Sequence, residues 1–509
     1  MEELREKIFS FLNKKRKTPN STLKIKNKVF EYLTDHKKLF KIINEKDEEV
    51  PYITLDSGES VVLDGSINEV QSLFACNLGI DVQQSKFAKE ILNYVKFKTI
   101  IDSPLKHLEK FSVVRNSQLY ISCGKKYLVT YKNGEVKKLL NGFNDIYFDS
   151  NYCFSEWEPD FYEELDDNPL NITEIKAFDI NTSIPDGVNI YTREMQLEVL
   201  TSWLIAAIIK IKPLPILLFY GNKSSGKTLT SKAIMKLLMG ETSNVSIFPD
   251  NKRSLLSCIT SHSIYTIDNL DSKVPTWFHD TLTLVSTGGE LSERALFSNA
   301  ATFKKEIVSS VIITSRNGNF AHREDIKDRI LPVFFESRSD YSISEDLLIE
   351  EVITYRNKLL TKLFIEGSEF VSKIVAEPNN FLENYRFTKF GKLLEHRIKK
   401  TNPSYKLKDL IKSIINSQFE SLTDIDPFIQ MILQFDFNKN QIDKLSGTPV
   451  ELIKILENNS NFINTLKPRV ISRKIKENLN VFELNNWKVE FEKYGNSTKF
   501  IFYPPNYKP

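Results

Sequence analysis

A chain of 509 residues is far longer than one hydrophobic core requires, and it predicts several domains. Its 69 Lys+Arg against 66 Asp+Glu leave a formal net charge of only +3, which excludes a general polycation and confines any nucleic-acid surface to local patches. Cys76, Cys123, Cys153 and Cys258 lie far apart with no CxxC or Cys/His spacing, which argues against a zinc site and for a reducing cytoplasm.

The start, Met1-Glu2-Glu3-Leu4-Arg5, is charged and lacks the apolar core of a signal peptide. The longest apolar stretch, Trp203 to Tyr220, is interrupted by Lys210, Lys212, Pro213 and Pro215, so no membrane span is expected. Residues 1–110 predict a helical domain. The basic run Lys14-Lys15-Arg16-Lys17 inside it reads as a solvated face or linker, with a phosphate contact as the alternative.

From Phe111 the apolar period becomes two. Leu119-Tyr120-Ile121 and Tyr127-Leu128-Val129-Thr130-Tyr131 read as strands, and Asn133-Gly134 is a favoured hairpin turn before Val136. Residues 111–185 thus predict a small β-rich module, which either packs on the next domain or forms a nucleic-acid collar.

Residues 186–345 alternate helices with five short apolar runs: Ile216–Tyr220, Val245–Phe248, Ile264–Ile267, Val308–Thr314 and Ile330–Phe335. That alternation predicts a parallel sheet covered by helices on both faces, with ligands at the carboxyl ends of the strands. After the first run comes Gly221-Asn222-Lys223-Ser224-Ser225-Gly226-Lys227-Thr228, which spells GxxxxGK[ST] between a predicted strand and a predicted helix. Glycines let backbone N–H groups turn onto phosphates, and the helix N-terminus adds its partial positive charge. Lys227 is expected to reach the β- and γ-phosphates of ATP, and Thr228 to ligate Mg²⁺.

The third run ends in Asp268, about 40 residues on, where an acid can hold the Mg²⁺ shell opposite Thr228. Asn269 follows it, so the general base is open: Asp271 is the first candidate, Glu290 and Glu293 further ones. After the fourth run, Asn317 is expected to orient the attacking water, with Arg316 as the alternative. Arg329, just before the fifth run, is the candidate guanidinium for a neighbouring subunit's γ-phosphate; Arg323 is second, and a local salt bridge is the plainer reading of the cluster.

Residues 346–435 read as a helical lid and linker. In residues 440–509, Thr448-Pro449 opens a helix and Pro468 another, where Ile471, Ile475 and Leu479 form a buried stripe and Arg469, Arg473 and Lys476 share a second face. Strands around Trp487–Phe491 and Lys499–Tyr503 flank a turn at Gly495. Helices followed by such a hairpin predict a winged helix; eleven Lys/Arg against seven Asp/Glu from Gln441 onward favour contact with DNA, and Trp487 reads as core.

The octamer, the Ile267-Asp268-Asn269-Leu270-Asp271 strand end, the insertion before the fourth strand, Asp328-Arg329-Ile330-Leu331 and the helix start Tyr385-Arg386-Phe387-Thr388-Lys389-Phe390 together resemble the AAA+ core of replicative helicases from mobile genetic islands and phages. These are similar to minichromosome-maintenance (MCM) helicases. The resemblance implies a multidomain α/β protein with an AAA+ P-loop ATPase core. It implies a hexameric ring that translocates on DNA, single-stranded or forked, with Arg329 as the trans-acting finger and Arg386 as the lid arginine called sensor 2. Most AAA+ ATPases carry a glutamate where Asn269 stands. The insertion, Leu296 to Lys305, would supply a pore hairpin whose Lys304 and Lys305 grip phosphates. A helicase is the leading expectation, an ATP-switched initiator or helicase loader the second, and a protein-remodelling machine the third.

Overall fold

The computed structural model describes the chain outside residues 1, 14–17, 37, 45–47, 84, 151–154, 161–171, 180–191, 222, 272–273, 295–301, 308, 317–319, 321–322, 336–342, 375–384, 402, 404–405, 423–426, 434, 436, 438–442, 458–467, 478, 480–481, 483–486, 496 and 506–509. The basic run Lys14–Lys17 therefore lies outside the described residues.

The first hundred residues contain helices Glu2–Leu12, Pro19–His36 and Lys86–Asp102, and also a three-stranded antiparallel sheet, β1 (Lys38–Ile43), β2 (Glu49–Thr54) and β3 (Ser60–Val62). The expected domain, mostly of helices, is thus corrected to a mixed one. The reason is burial on both faces: Leu39, Ile53 and Val61 face one apolar cluster while Phe40 and Tyr52 face another with Tyr147. Strands covered on both sides lose polar alternation, and their short apolar runs cannot be told from helix by period.

The next unit pairs β4 (Leu108–Glu109) with β9 (Tyr147–Phe148) beside an antiparallel meander of β5 (Ser112–Arg115), β6 (Gln118–Ser122), β7 (Tyr127–Lys132) and β8 (Glu135–Leu140). Its β7–β8 turn is Asn133-Gly134, both at positive φ (54° and 84°), the two-residue geometry that follows the right-handed strand twist.

The central sheet is formed by β10 (Ile216–Gly221), β11 (Ile264–Ile267), β14 (Ser310–Ser315) and β15 (Ile330–Phe335) in the order β11-β14-β10-β15, all parallel. One face, with Leu217, Phe219, Leu331 and Val333, packs with helices Arg193–Ile208, Lys227–Met239 and Glu345–Ile374. The other, with Leu218, Ile267, Val311 and Ile313, packs with helices Lys252–Ser261 and Thr276–Thr287. Burial on both faces accounts for the unbroken apolar runs. The second expected strand, Val245–Phe248, contributes a single parallel bridge, Ser246 to Ile267. Ile247 there is 83% exposed and Pro249 has no N–H for a ladder, so pairing stops.

Between helix Thr276–Thr287 and β14 stands a hairpin of β12 (Glu290–Arg294) and β13 (Thr302–Glu306). After helices Thr388–Thr401 and Leu407–Leu422, helix Pro427–Leu433 buries Phe428, Ile429 and Ile432 in the C-terminal core rather than in the preceding helical unit. That core also holds helices Pro449–Glu457 and Pro468–Glu477 on a sheet ordered β16 (Leu445–Gly447), β18 (Ser497–Tyr503), β17 (Lys488–Tyr494). Thr448 and Glu451 exchange hydrogen bonds as a capping box at the helix entry, and Trp487 is buried. The whole is a mixed α/β chain of helices and several sheets.

Candidate functional site

The octamer forms the turn between β10 and helix Lys227–Met239, at the carboxyl edge of the central sheet. Gly221 has φ +142°, Ser224 +63° and Gly226 +94°, so the chain folds through three left-handed steps, two of them at glycine, which takes them at little cost. A Cβ on Gly221 would lie 1.9 Å from the Phe335 carbonyl oxygen, so this glycine is also fixed by the neighbouring strand. Gly226 caps the helix without a side-chain hydrogen bond. The first intrahelical bond runs from Thr230 N to Gly226 O, so the first-turn N–H groups are available to an anion.

Lys227 is buried, and its ammonium donates to Gly221 O at 2.8 Å and Ser225 Oγ at 3.0 Å, which keeps it inside the loop. Burial lowers its pKa, and the charges of Asp271 and Asp268 oppose that fall. Thr228 Oγ1 donates to Asp268 Oδ1 at 2.9 Å, and Thr314 Oγ1 donates to the same oxygen at 2.6 Å. Thr314 also accepts from Asn269 N at 2.7 Å, so it ties the turn after β11 to the end of β14. The expected pairing of Thr228 with Asp268 is thus brought together, 40 positions apart in the chain. Thr314 was not singled out in the sequence; its signal is a polar residue closing the apolar β14 run one strand over from Asp268.

Asn269 has φ +59°, a left-handed conformation that asparagine tolerates far better than glutamate does. The absence of glutamate at this position is therefore matched by a sharp local turn. Asp271 accepts from Arg316 N at 2.6 Å, from the Arg316 guanidinium and from Ser315 Oγ at 3.3 Å. Burial alone would raise its carboxyl, but the Arg316 contacts outweigh it and hold Asp271 below the usual carboxylate range. Arg316 is thus a partner of Asp271, and Asn317 lies outside the described residues.

Glu290 and Glu293 stand on β12, paired with Glu306 and Phe303. Glu290 is thus paired ahead of β14, whereas Thr314 meets Asp268 near the carboxyl end of β14. No described contact joins Glu290 to the Thr228–Asp268 pair. Lys304 and Lys305 lie on β13, paired in backbone with Ser292 and Leu291, and not in the connecting loop.

Arg329 precedes β15, and its carbonyl accepts from Ile216 N, so it stands at the amino end of the sheet, five strand residues or roughly 17 Å from Gly221. It is 8% exposed; Nε donates to Asp325 O at 2.9 Å, while the buried Nη1 has no hydrogen-bond partner among the described residues. Burial lowers its pKa and the nearby charge of Arg386 lowers it further. Arg386, itself exposed, thus stands near Arg329. Arg323 by contrast is spent on Asp325 and Asp280. In the C-terminal unit Arg469, Arg473 and Lys476 are all exposed on helix Pro468–Glu477, with Ile471 and Ile475 buried and Leu479 half-buried. No helix among the described residues is long and apolar enough to cross a membrane.

Residues 187–391, less than half of the chain, match the family model described as an actinomycete integrative conjugative element replication protein. No curated protein matches. Among solved structures, the apo C-terminal region of NrS-1 is 12% identical, covers 94% of this chain and 98% of its own, and has a TM-score of 0.39. The JCV helicase is also 12% identical, with coverage of 43% and 61% and a TM-score of 0.24. Over the central residues, the chain is similar to a replication protein of a mobile element, and its likeness to the solved structures is weak.

Proposed function

We propose that this chain is an ATP-dependent DNA helicase with an AAA+ P-loop core of MCM-like kind, working as a hexameric ring in the replication of a mobile genetic element. The observation that carries the reading is the Thr228 to Asp268 hydrogen bond beside the buried Lys227, at the carboxyl edge of a parallel sheet. The replication-family match over residues 187–391 supports the biological setting.

ATP fits the octamer because the left-handed steps, the uncapped helix start and one buried ammonium form an anion cradle. In this proposal Gly221 to Thr228 hold the phosphates, with Asn222 and Lys223 completing the loop. Thr228 and Asp268 would hold Mg²⁺, which would supply neutralisation of phosphate charge. Lys227 leaves Gly221 O for a phosphate oxygen. Arg316 has an anionic partner in Asp271, and a triphosphate offers it a second. When Arg316 turns away, Asp271 is free to take a proton from the water that Asn317 orients. Arg329, too far from its own loop, serves the neighbour's γ-phosphate, and Arg386 works beside it. Lys304 and Lys305 on the hairpin and the basic face of the C-terminal winged helix, Arg469, Arg473 and Lys476, bind DNA.

Strand displacement of a forked duplex, with wild type and with Lys227→Ala, tests the reading. ATP turnover without unwinding on either tail polarity would sink the helicase. The left-handed Asn269 and the occupied Asp271 favour a second reading, an ATP-switched initiator or helicase loader with slow hydrolysis. Turnover strongly stimulated by DNA would count against that alternative.

A further inference from the structure

The hairpin β17–β18 carries an aromatic side chain that packing does not explain. Residues facing each other across it are Val489 with Phe502 and Phe491 with Phe500. Phe500 and Phe502 are fully buried, while Phe491 on the same face is 53% exposed, its ring centroid 6.3 Å from that of Phe500. The core therefore ends at Phe500, and Phe491 is its open rim.

What borders this rim is positive. Lys476 Nζ lies 6.0 Å from the Phe491 ring centroid. Arg469, Arg473 and Lys476 are exposed and fall at i, i+4 and i+7, one face of helix Pro468–Glu477. Lys493, two residues beyond Phe491, is exposed on the same strand face. The acids of the strand alternate to the other face, where Glu490 is tied to Lys488 and Tyr503. A ring with cations on both sides and, among the described residues of its strand, no acid on its own face suits a polyanion with π surfaces.

We infer that Phe491 stacks on an unpaired nucleobase of single-stranded DNA whose phosphates run along Arg469, Arg473, Lys476 and Lys493. This rests on the proposed DNA role of the C-terminal unit and deepens it. In a duplex the base faces are covered by their neighbours and only base edges line the grooves, so a phenyl ring meets a base face only where the strand is unpaired. Phosphate contacts supply salt-dependent affinity; stacking does not release counterions. The ring and the lysines thus leave separate signatures.

The test uses the full chain and a labelled oligothymidylate against a blunt duplex of equal length. Phe491→Ala is expected to weaken binding of the single strand roughly ten-fold with the salt slope unchanged, and to leave the duplex alone. Lys476→Ala is expected to reduce the salt slope by about one on both. Phe491→Trp keeps affinity and shows quenching on oligonucleotide addition beyond that of the four native tryptophans. Because it reads the ring's own surroundings, it remains informative where other sites contribute to affinity. Equal loss on the duplex, or a Phe491→Trp signal that the oligonucleotide leaves unchanged, overturns the stacking. If that signal is silent while Lys476→Ala still weakens binding, stacking alone falls. If Arg469→Ala, Arg473→Ala and Lys476→Ala also have no effect, the DNA role of this unit falls with it.

Discussion

Asp271 and Arg316 show how one ion pair carries two opposite pressures. Burial raises the Asp271 carboxyl, the Arg316 contacts lower it, and the lowering wins. A depressed carboxyl contributes stability that is present above its unfolded pKa and is lost as pH falls through its folded value. The wild type should therefore keep this pair charged below the carboxylate reference of 3.8, and Arg316→Ala, which removes the guanidinium but keeps the backbone N–H and Ser315 Oγ contacts, should raise the Asp271 pKa. Titration of the Asp271 carboxyl by NMR in both proteins checks this; an unmoved pKa in the variant contradicts it. Lys227 and Thr228 were legible as consecutive letters of the octamer. The Thr314 to Asp268 contact was not, because it joins residues 46 apart through sheet order, which a single sequence does not state. Asn269 was legible only as a missing glutamate; its left-handed backbone is the physical reason, visible once φ is known.

Single changes at the turns and hairpins act through whole elements. Gly221→Ala combines a positive φ with a Cβ set against the Phe335 carbonyl, so it should cost at least about 2 kcal/mol and push β10 from β15. A denaturation midpoint equal to wild type's would refute that account of the loop. For the β12–β13 hairpin, Lys304→Ala with Lys305→Ala should abolish unwinding while basal ATP turnover stays within about two-fold, since a phosphate grip is not part of the hydrolytic site. Loss of turnover without DNA present would instead assign these lysines a structural role. The parallel sheet was readable from its apolar runs, as was the Asn133-Gly134 turn. The β1–β3 sheet was hidden by burial on both faces, and Val245–Phe248 promised a strand that Ile247 and Pro249 do not deliver.

At the scale of the whole molecule, the separation between the loop and Arg329 bears most on the proposed ring. Gly221 and Arg329 sit at opposite ends of adjoining strands, so within one chain the guanidinium stays far from the phosphate cradle. The buried Nη1 has no hydrogen-bond partner among the described residues, while Asp325 and Asp328 act on the group as nearby charges, so on the proposed reading a neighbour's γ-phosphate is a further anion for it. Charge and length were open to reading from sequence, but which end of the sheet holds Arg329 follows only from strand register. Arg329→Ala alone should lower turnover by about a thousand-fold, with nucleotide still bound. The most direct measurement mixes two inactive proteins, Lys227→Ala and Arg329→Ala, and follows ATP turnover. Loops from one variant then meet fingers from the other, and random assembly should restore about a quarter of wild-type activity. A mixture that co-assembles yet stays inactive contradicts a site shared between neighbouring chains.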